Sequence, residues 1–511
     1  MSNTENNKRI AKNTMFLYSR MLLTMVVSLF TSRVVLNTLG VEDFGIYNVV
    51  GGVIIMFSFI NNAMASSTQR YLSFEIGKGD LHKLKNVFNT SFQIHLLIAL
   101  GIVILGETLG LWFFYTKLNI PAERFDAAFW VYQFSIVSSV IMILNVPYNA
   151  LVIAHERMNI FAYFSILDVV LKLIIVYLLV LSNIDKLVFY SFLIATTALI
   201  MRILYLFYCK KYFSESKLSK SFDQGLFKEM FKFAGWNLFG NLSYITYTQG
   251  LNILLNIFFS PVVNAARSIA VQVQTAITGF IINFQTAVNP QITKAYANND
   301  HIYVHSLIFK SSKYSFYIIF ILTLPIIFRT NQILEVWLQI VPEHTINFVR
   351  LMLITSIIDS CANPLVNVAL ATGKIKVYQT IISSILLLIL PISYLALKSG
   401  FVPESVFVIH FLFAFIAFIA RIFIVKPMIN LSIFEYFLRV VKPIVLIILF
   451  SAIPLYYVNQ FLNDNLFGLA QLLIIELILV FVIIYTFGLE KNEKILLKNV
   501  IYKTFNKIIR K

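Results

Sequence analysis

Apolar runs separated by short polar breaks occupy almost the whole sequence. Runs of about 18 residues or more can cross roughly 30 Å of hydrocarbon as α-helices that rise about 1.5 Å per residue. Stretches such as IISSILLLILPISYLAL do not alternate in polarity as the strands of a membrane β-barrel do. The pattern therefore predicts an all-α polytopic membrane protein with about fourteen spans. We place these spans near residues 14–37, 45–68, 87–114, 127–153, 159–182, 187–208, 233–259, 264–288, 306–328, 347–371, 377–397, 403–425, 434–458 and 465–488.

The composition agrees with a membrane protein. Of the 511 residues, 59% are hydrophobic and 13% are charged, and the mean hydropathy is +0.80. The predicted topology accounts for the net charge of +17, because the connections assigned to the cytoplasm hold most of the lysines and arginines. We therefore expect both termini in the cytoplasm and no nucleic-acid partner. The connections assigned outside hold only Lys117, Arg124, Lys186, Arg329 and Lys398.

The segment NTLGVEDFGIYNVVGG, residues 37–52, combines glycines with two adjacent carboxylates between the first two apolar runs. We expect Gly40 to end the first span in a left-handed conformation. We expect Asp43 to cap the second span, where the helix dipole favours an anion. The segment is therefore predicted to be the first outside turn.

A basic stretch divides the chain after the sixth span. It begins CKKYFSESKLSK at Cys209 and is predicted to be a linker on the anionic inner membrane surface. A faint repeat supports two halves, since VVLNTLGVEDFGIYNVV and ILLNIFFSPVVNAARSIA align when Leu36 is matched with Leu255. Internal duplication is typical of secondary transporters.

Several ionisable residues lie inside the predicted spans, where they are costly and usually face a cavity. Asp168 and Lys172 are four residues apart on one helical face, so each can neutralise the other. This pair is either a structural ion pair or part of ion coupling. The candidates that the spans contain include Arg20, Arg33, Asp168, Lys172, Arg267 and Asp359.

Three spans carry a stripe of polar side chains at helical spacing. Such stripes either form hydrogen bonds between helices or line a hydrated cavity. Amide and hydroxyl groups suit a ligand covered in hydroxyls, and arginine suits phosphate. Together they predict a phosphorylated, sugar-like substrate. The stripes are Asn237, Asn241, Tyr244, Thr248 and Asn252; Arg267, Gln274, Thr278 and Gln285; and Ser356, Asp359, Ser360, Asn363 and Asn367.

The sequence lacks the motifs of several enzyme classes. It has no phosphate-binding GxxxxGK[ST] loop, no HExxH motif and no paired Cys/His spacing for a metal. The seven histidines lie mostly in loops or near span ends, where solvated side chains are expected. The predicted external loops are too short for a catalytic domain. We expect a protein that is not an enzyme and has no cofactor.

One family resembles the chain over essentially its whole length. The segments TSRVVLNTLGVEDFGIYNVVGGV, NNAMASSTQRYLSFEIGKGD and FKFAGWNLFGNLSYITYTQGLNILL resemble the polysaccharide-transporter branch of the multidrug/oligosaccharidyl-lipid/polysaccharide exporter (MOP) superfamily, which includes Wzx-type O-antigen flippases. The resemblance implies two six-helix bundles in a V around a central cavity, followed by two additional helices. The implied boundaries are 1–208 and 233–427 for the bundles, 209–232 for the linker, 428–490 for the additional helices and 491–511 for a basic cytoplasmic tail.

The resemblance also implies a function. A polyprenyl-pyrophosphate-linked oligosaccharide would move across the bacterial inner membrane by alternating access, driven by an ion gradient or the membrane potential. Arg267, helped by Arg20 or Arg33, would hold the pyrophosphate, and Asp168, Lys172 or Asp359 would couple the ion. Arg70 would guard the cytoplasmic mouth. Polysaccharide polymerase and glycosyltransferases are candidate partners, and Asn241, Thr248, Asn252, Gln274, Thr278 and Asn363 would solvate the sugars.

Other functions stay open at this point. A cation-coupled multidrug exporter of the same superfamily would have a carboxylate-rich, aromatic N-terminal cavity, whereas the first span offers arginines. A peptidoglycan-precursor flippase fits the same sequence features. A polysaccharide polymerase or ligase would need a large external catalytic loop, which the predicted topology lacks.

Overall fold

A computed structural model describes residues 3–55, 58–118, 120–219, 223–259, 261–338, 341–491 and 493–495, and this part of the chain is α-helical without strands. Helices suit a membrane because they satisfy backbone hydrogen bonds internally. The predicted cytoplasmic tail lies outside the described residues from 496 onward. The first nine helices are α1 (Asn3–Ile55), α2 (Ser58–Lys78), α3 (Leu81–Leu105), α4 (Leu111–Lys117), α5 (Phe125–Ala154), α6 (Met158–Leu181), α7 (Lys186–Tyr212), α8 (Gln224–Phe258) and α9 (Pro261–Ala297).

The second half of the chain continues this pattern of long helices with short connections. Its nine helices are α10 (His301–Phe328), α11 (Thr330–Leu338), α12 (Thr345–Thr372), α13 (Lys376–Leu387), α14 (Ile389–Lys398), α15 (Ser405–Ile429), α16 (Ile433–Tyr436), α17 (Lys442–Phe461) and α18 (Leu466–Ile483).

The predicted all-α polytopic fold is confirmed. Eleven helical segments of the described chain are long and apolar enough to cross a membrane. The remaining predicted spans fall on α1, α2 and α8, which are also helical. The second predicted span, 45–68, is too short, because helix follows the Gly40 kink and α2 continues to Lys78.

Local sequence explains where several helices begin and end. The side chains of Asp80, Asp185 and Asn465 precede α3, α7 and α18, and each accepts a hydrogen bond from a backbone N–H of the first turn. Such caps satisfy donors that a helix leaves unpaired at its start. Asn430 ends α15 in a left-handed conformation with φ of 54°. Short polar residues therefore set these boundaries.

The predicted first outside turn is a kink within α1. Gly40 has φ of 82°, and residues on both sides of it are helical. The positive φ at Gly40 is confirmed. The Asp43 carboxylate accepts from Nε and Nη2 of Arg124 at 2.8 and 2.6 Å, and Arg124 also binds Asp185. This ion-pair cluster joins α1, α5 and the start of α7.

The chain divides into two compact units. Unit 1 comprises Met1–Leu242, Thr286–Val304 and Leu370–Thr380, and unit 2 comprises Ser243–Gln285, His305–Ala369 and Ile381–Lys511. Helices α8, α9 and α12 each contribute residues to both units. The domain boundaries implied by the resemblance stay a prediction.

Each unit has its own apolar core. In unit 1, buried side chains of α2, α3, α5, α7 and α8 pack together, and the rings of Phe88 and Tyr148 meet edge to face at 5.2 Å. In unit 2, one cluster joins α8, α9, α12 and α15, and another joins α10 with α17 and α18. Phe348 and Phe407, with ring centroids 4.4 Å apart, join α12 to α15. These cores hold the helices that line the two cavities.

Candidate functional site

Unit 1 contains a cavity of about 640 Å³ between α1, α5, α6 and α7. Its apolar wall includes Met21, Met142, Met201 and Phe161. A cavity of this size is within the range of small-molecule sites. The polar groups that line it are Arg20, Thr24, Asn145, Asn149, Ser165, Asp168, Lys172, Thr197 and Tyr205.

Arg20 is held at the wall of the unit 1 cavity by two contacts. Its Nη1 donates to the hydroxyl of Ser165 at 3.4 Å, and its guanidinium carbon lies 4.7 Å from the ring centre of Phe161. Both partners are on α6, so they fix α1 against α6 and orient the charged group. A cation over an aromatic face keeps its charge stabilised in a partly apolar site.

Asp168 and Lys172 form the ion pair that their spacing predicts, with Lys172 Nζ 2.7 Å from an Asp168 carboxylate oxygen. Both side chains line the unit 1 cavity and are partly exposed, by 32% and 48%. Such exposure allows solvent or a ligand to reach the pair. Its role in ion coupling stays a prediction.

Unit 2 contains a second cavity of about 470 Å³, built by α8, α9, α12, α13 and α15. Nine residues of the three polar stripes line it, namely Tyr244, Thr248, Arg267, Gln274, Thr278, Ser356, Asp359, Ser360 and Asn363. Polar groups from three helices therefore converge, as a ligand site requires. The polar residues that line the cavity are Tyr244, Tyr247, Thr248, Gln249, Arg267, Gln274, Thr275, Thr278, Ser356, Asp359, Ser360, Asn363, His410 and Arg421.

Arg267 is fixed by a backbone contact. Its Nη2 donates to the carbonyl oxygen of Thr248 at 2.7 Å, which joins α9 to α8. Its Nε is buried and has no hydrogen-bond partner in the part of the chain that the structure describes. A buried donor without a partner is costly, so this nitrogen is suited to an acceptor from a ligand.

Part of the polar stripes forms contacts between helices. Gln274 Nε2 donates to the Ser356 hydroxyl at 2.7 Å, and Gln285 Nε2 donates to Ser315 at 3.3 Å. The stripes therefore serve both as hydrogen bonds between helices and as cavity lining, because Gln274 lines the cavity and also joins α9 to α12.

Three proposed residues have other positions. Among the described residues, Asn241 and Asn252 line neither cavity, and Asn241 is an exposed residue of unit 1. Arg33 lies in α1, but its side chain is outside the part that the structure describes.

Several polar residues of the cavities were not proposed from the sequence. His410 lies 3.4 Å from the Tyr247 hydroxyl and lines the unit 2 cavity with Arg421.

His95 is fully buried, with Nδ1 2.7 Å from the Ser91 carbonyl oxygen. The expectation that the histidines are solvated is therefore wrong for His95. Arg421 could have been identified from the sequence, because it is an ionisable residue inside a predicted span.

The comparisons with known proteins agree with this architecture. The model of a family described as polysaccharide biosynthesis protein matches residues 10–296. No curated protein matches the sequence.

Solved structures of transporters share the fold. An outward-facing multidrug resistance MATE family transporter of the MOP superfamily has a TM-score of 0.72 at 14% identity, over 83% of this chain and 96% of that one. A MATE transporter in complex with MaL6 has a TM-score of 0.70 at 13% identity, over 83% and 98%. A MOP superfamily transporter from Pyrococcus furiosus, described as having a binding pocket of reverse polarity, has a TM-score of 0.68 at 14% identity, over 82% and 96%.

The structural similarity establishes the fold, but identities this low do not identify the transported molecule. The family match covers more than half of the chain, and its description concerns polysaccharide biosynthesis. The protein is therefore a multi-pass membrane protein that shares the fold of these transporters and belongs to the polysaccharide biosynthesis protein family.

Proposed function

We propose that the protein flips polyprenyl-pyrophosphate-linked oligosaccharide repeat units from the cytoplasmic to the external leaflet of a bacterial inner membrane. The units would supply a surface polysaccharide such as O-antigen, capsule or exopolysaccharide. The observation that supports this most is the unit 2 cavity, where Arg267 has a buried Nε without a partner among the described residues. A guanidinium binds phosphate oxygens through paired, charge-assisted hydrogen bonds.

The other groups of the unit 2 cavity fit the sugar part of this substrate. Thr248, Gln274, Thr278 and Asn363 offer amide and hydroxyl groups on three different helices. The hydroxyls of Thr248 and Thr278 donate to carbonyls of their own helices and can accept from sugar hydroxyls, whereas the amides of Gln274 and Asn363 can both donate and accept. In this proposal they solvate the oligosaccharide while Arg267 binds the pyrophosphate.

The charged groups of the two cavities also supply candidates for energy coupling. Asp359 in unit 2 and Asp168, which pairs with Lys172 in unit 1, are carboxylates that line the cavities and can serve as sites for a coupling ion. Arg20 offers a further anion-binding group within the unit 1 cavity. We propose that an ion gradient or the membrane potential drives transport, with both termini in the cytoplasm and no cofactor. Polysaccharide polymerase and glycosyltransferases would act on the same repeat units.

The test uses Arg267→Ala in a bacterium whose own copy of this gene is deleted. We expect surface polysaccharide to be lost and the lipid-linked repeat unit to accumulate, while the amount of protein in the membrane stays unchanged. Arg439→Ala is the matched control, because Arg439 is 47% exposed and its carboxylate partner Glu490 is 3.6 Å away. Normal surface polysaccharide in the Arg267→Ala strain would refute the role of this cavity.

A second experiment separates the proposed substrate from a drug. Purified protein in liposomes would be supplied with a fluorescent polyprenyl-pyrophosphate disaccharide, and dithionite would quench the molecules that reach the outer leaflet. We expect flipping by the unmodified protein and by Arg439→Ala, and none above the protein-free rate by Arg267→Ala. Transport of a cationic dye without flipping of the lipid would instead support the multidrug exporter.

A further inference from the structure

Two short segments from the second half of the chain belong to unit 1. They are Thr286–Val304, at the end of α9 and the start of α10, and Leu370–Thr380, at the end of α12 and the start of α13. The predicted topology places both segments at the cytoplasmic ends of their spans. It places the α5–α6 turn and the end of α2 on the same side. Contacts between these parts of unit 1 therefore lie where a transporter of this fold takes up its substrate.

The carboxylate of Glu156 is the centre of one such contact. Glu156 lies in the α5–α6 turn with φ of 59°, a left-handed conformation that is uncommon outside glycine, and its side chain is fully buried. Lys294 Nζ is 2.6 Å from one carboxylate oxygen, and Arg9 Nε is 2.8 Å from the other. Gln291 also donates to this carboxylate, and Asn13 donates to the backbone carbonyl at 3.4 Å.

The partners of Glu156 fall into two groups. Arg9 and Asn13 are on α1, so their bonds stay within the first half of the chain. Lys294 and Gln291 are three residues apart on one face of α9 and bind the same carboxylate. If α9 moves away, Glu156 keeps Arg9 as its counter-ion. Because a buried charge is costly only when it is left unpaired, the α9 bonds can break without isolating Glu156.

A second contact holds the end of α12. Arg70, on α2, donates from Nε and Nη2 to the carbonyl oxygen of Ala371 at 3.3 and 3.1 Å. The last carbonyls of a helix lack partners within it, and the helix dipole favours a cation there. The guanidinium also lies 4.4 Å from the ring centre of Tyr71. The guanidinium of Arg70 thus binds the end of α12 at a backbone carbonyl of that helix.

Gly77 allows α2 and α9 to approach closely in the same region. A Cβ atom at this position would lie 2.8 Å from the Cα of Lys294 and 3.0 Å from the Cβ of Ala297. Contacts this short to a backbone atom require one helix to shift. Close approach without a side chain is a recognised use of glycine.

We propose that these contacts form a releasable gate at the cytoplasmic end of unit 1, which this structure shows closed. Glu156 is its latch to α9, Arg70 is its latch to α12, and Gly77 permits the closed packing. Opening breaks the bonds of Glu156 to Lys294 and Gln291 and the bonds of Arg70 to Ala371. This inference concerns the transport cycle and holds whichever molecule the protein exports.

The test measures how accessible the gate is, with no substrate present. The reporter is Ala287→Cys, because Ala287 is fully buried beside Leu17, Ile153 and Met158 within unit 1. The native Cys209 and Cys361 would be replaced by alanine. Purified protein in lipid nanodiscs would be labelled with a charged methanethiosulfonate reagent. Lys294→Met and Glu156→Ala are expected to raise the labelling rate about tenfold or more, because labelling follows the open population.

Two matched variants show whether an increase is specific. Glu215→Ala removes the neighbouring contact, in which a Glu215 carboxylate oxygen lies 2.6 Å from Nε2 of His155, but that contact does not involve α9. Arg9→Ala removes a partner of Glu156 and leaves Lys294 in place. Glu215→Ala is expected to leave the labelling rate unchanged, and Arg9→Ala is expected not to raise it, because opening would then leave Glu156 without a counter-ion. An equal increase in Glu215→Ala would mean general loosening and would overturn the proposal.

A variant without any change of charge keeps the test decisive if Glu156→Ala does not fold. Gly77→Ala places a Cβ against the Lys294 backbone and is expected to open the gate and speed labelling of Cys at 287. The variants must remain monodisperse in size-exclusion chromatography. Background labelling in both Lys294→Met and Gly77→Ala would refute the gate.

Discussion

The carbonyl oxygen of Thr248 accepts a hydrogen bond from Nη2 of Arg267 across 2.7 Å and thereby fixes the guanidinium at the wall of the unit 2 cavity. The hydroxyl of Thr248 is already bonded to the Tyr244 carbonyl, at 2.9 Å. The contact to Arg267 therefore uses only the backbone at position 248. It leaves the buried Nε of Arg267 available to a ligand.

This geometry predicts that lysine cannot replace Arg267. A lysine ammonium keeps the positive charge, but it cannot bind the Thr248 carbonyl and also present a planar fork to a phosphate. We expect Arg267→Lys to lower the initial rate of flipping of the fluorescent lipid about tenfold, since the ammonium can replace only one of the two parallel charge-assisted bonds that a guanidinium makes to a phosphate. A rate equal to that of the unmodified protein would show that a point charge is sufficient.

The hydrogen bond between Gln274 and Ser356 should contribute modestly to stability. Bonds between membrane helices average about 0.6 kcal/mol and reach about 1.7. We expect this interaction energy from a double-mutant cycle of Gln274→Leu and Ser356→Ala, measured by unfolding in mixed micelles. Thr278→Val is the control, because the Thr278 hydroxyl bonds to the Gln274 carbonyl of its own helix at 2.9 Å. No coupling within the cycle would contradict the contact.

The Asp168–Lys172 pair offers a test between its two alternatives. Lys172→Met leaves Asp168 without its partner at 2.7 Å and should reduce flipping. If the pair is only structural, adding Asp168→Asn restores the rate, because the unpaired charge is removed. We predict that the double variant stays inactive whether or not an ion gradient is imposed. Recovery to more than half of the normal rate would exclude ion coupling.

The sequence predicted the fold well because the membrane leaves few alternatives. Apolar runs of the observed length that cross a membrane must be helical. The boundary between the first two predicted spans was less accurate, since helix resumes directly after Gly40 and its polar neighbours do not form a loop. Polarity alone does not separate a kink from a turn.

The candidate site was predictable only in part. Helical spacing placed Thr248, Arg267 and Thr278 on faces that do line one cavity. Helical spacing could not show that Asn252 lies outside this cavity, because a helical face is wider than the part of it that borders the cavity. Glu476 was missed although it is an ionisable residue inside α18, and it is 1% exposed with neither carboxylate oxygen partnered among the described residues. The same criterion that selected Asp359 would have selected it.

The connection before α15 should make stability depend on pH. Glu404 binds His344 at 2.7 Å and Asn347 at 3.2 Å. Burial raises the pKa of Glu404, but the hydrogen bonds from His344, Asn347 and the backbone outweigh burial, so its pKa lies below the ordinary value. A lowered folded-state pKa stabilises the protein above the unfolded pKa of about 4.3 and loses this effect as the pH falls through the folded value. We therefore expect Tm to decrease as the pH is lowered below about 4.3. The decrease should be smaller in Glu404→Gln.

A buried lysine of α10 binds the segment that follows α18. Lys313 is 1% exposed, and its Nζ is 3.2 Å from a Glu493 carboxylate oxygen and 3.3 Å from the Gly488 carbonyl. Tyr317 donates to the same carbonyl at 2.8 Å. These bonds join the last described residues of the chain to the middle of unit 2.

Removing Lys313 should therefore release the C-terminal end of the described chain. Lys313→Met leaves the Glu493 carboxylate, which is 6% exposed, without its closest cation, and breaking one side of a buried pair costs about 3–5 kcal/mol. We expect rapid proteolysis near residue 490 in purified Lys313→Met. In Lys313→Met/Glu493→Gln the unpaired charge is gone, so cleavage should slow again. Arg439→Ala breaks only an exposed pair, worth about 1 kcal/mol or less, and should be cleaved like the unmodified protein. Equal cleavage of Lys313→Met and Arg439→Ala would show that the anchor lies elsewhere.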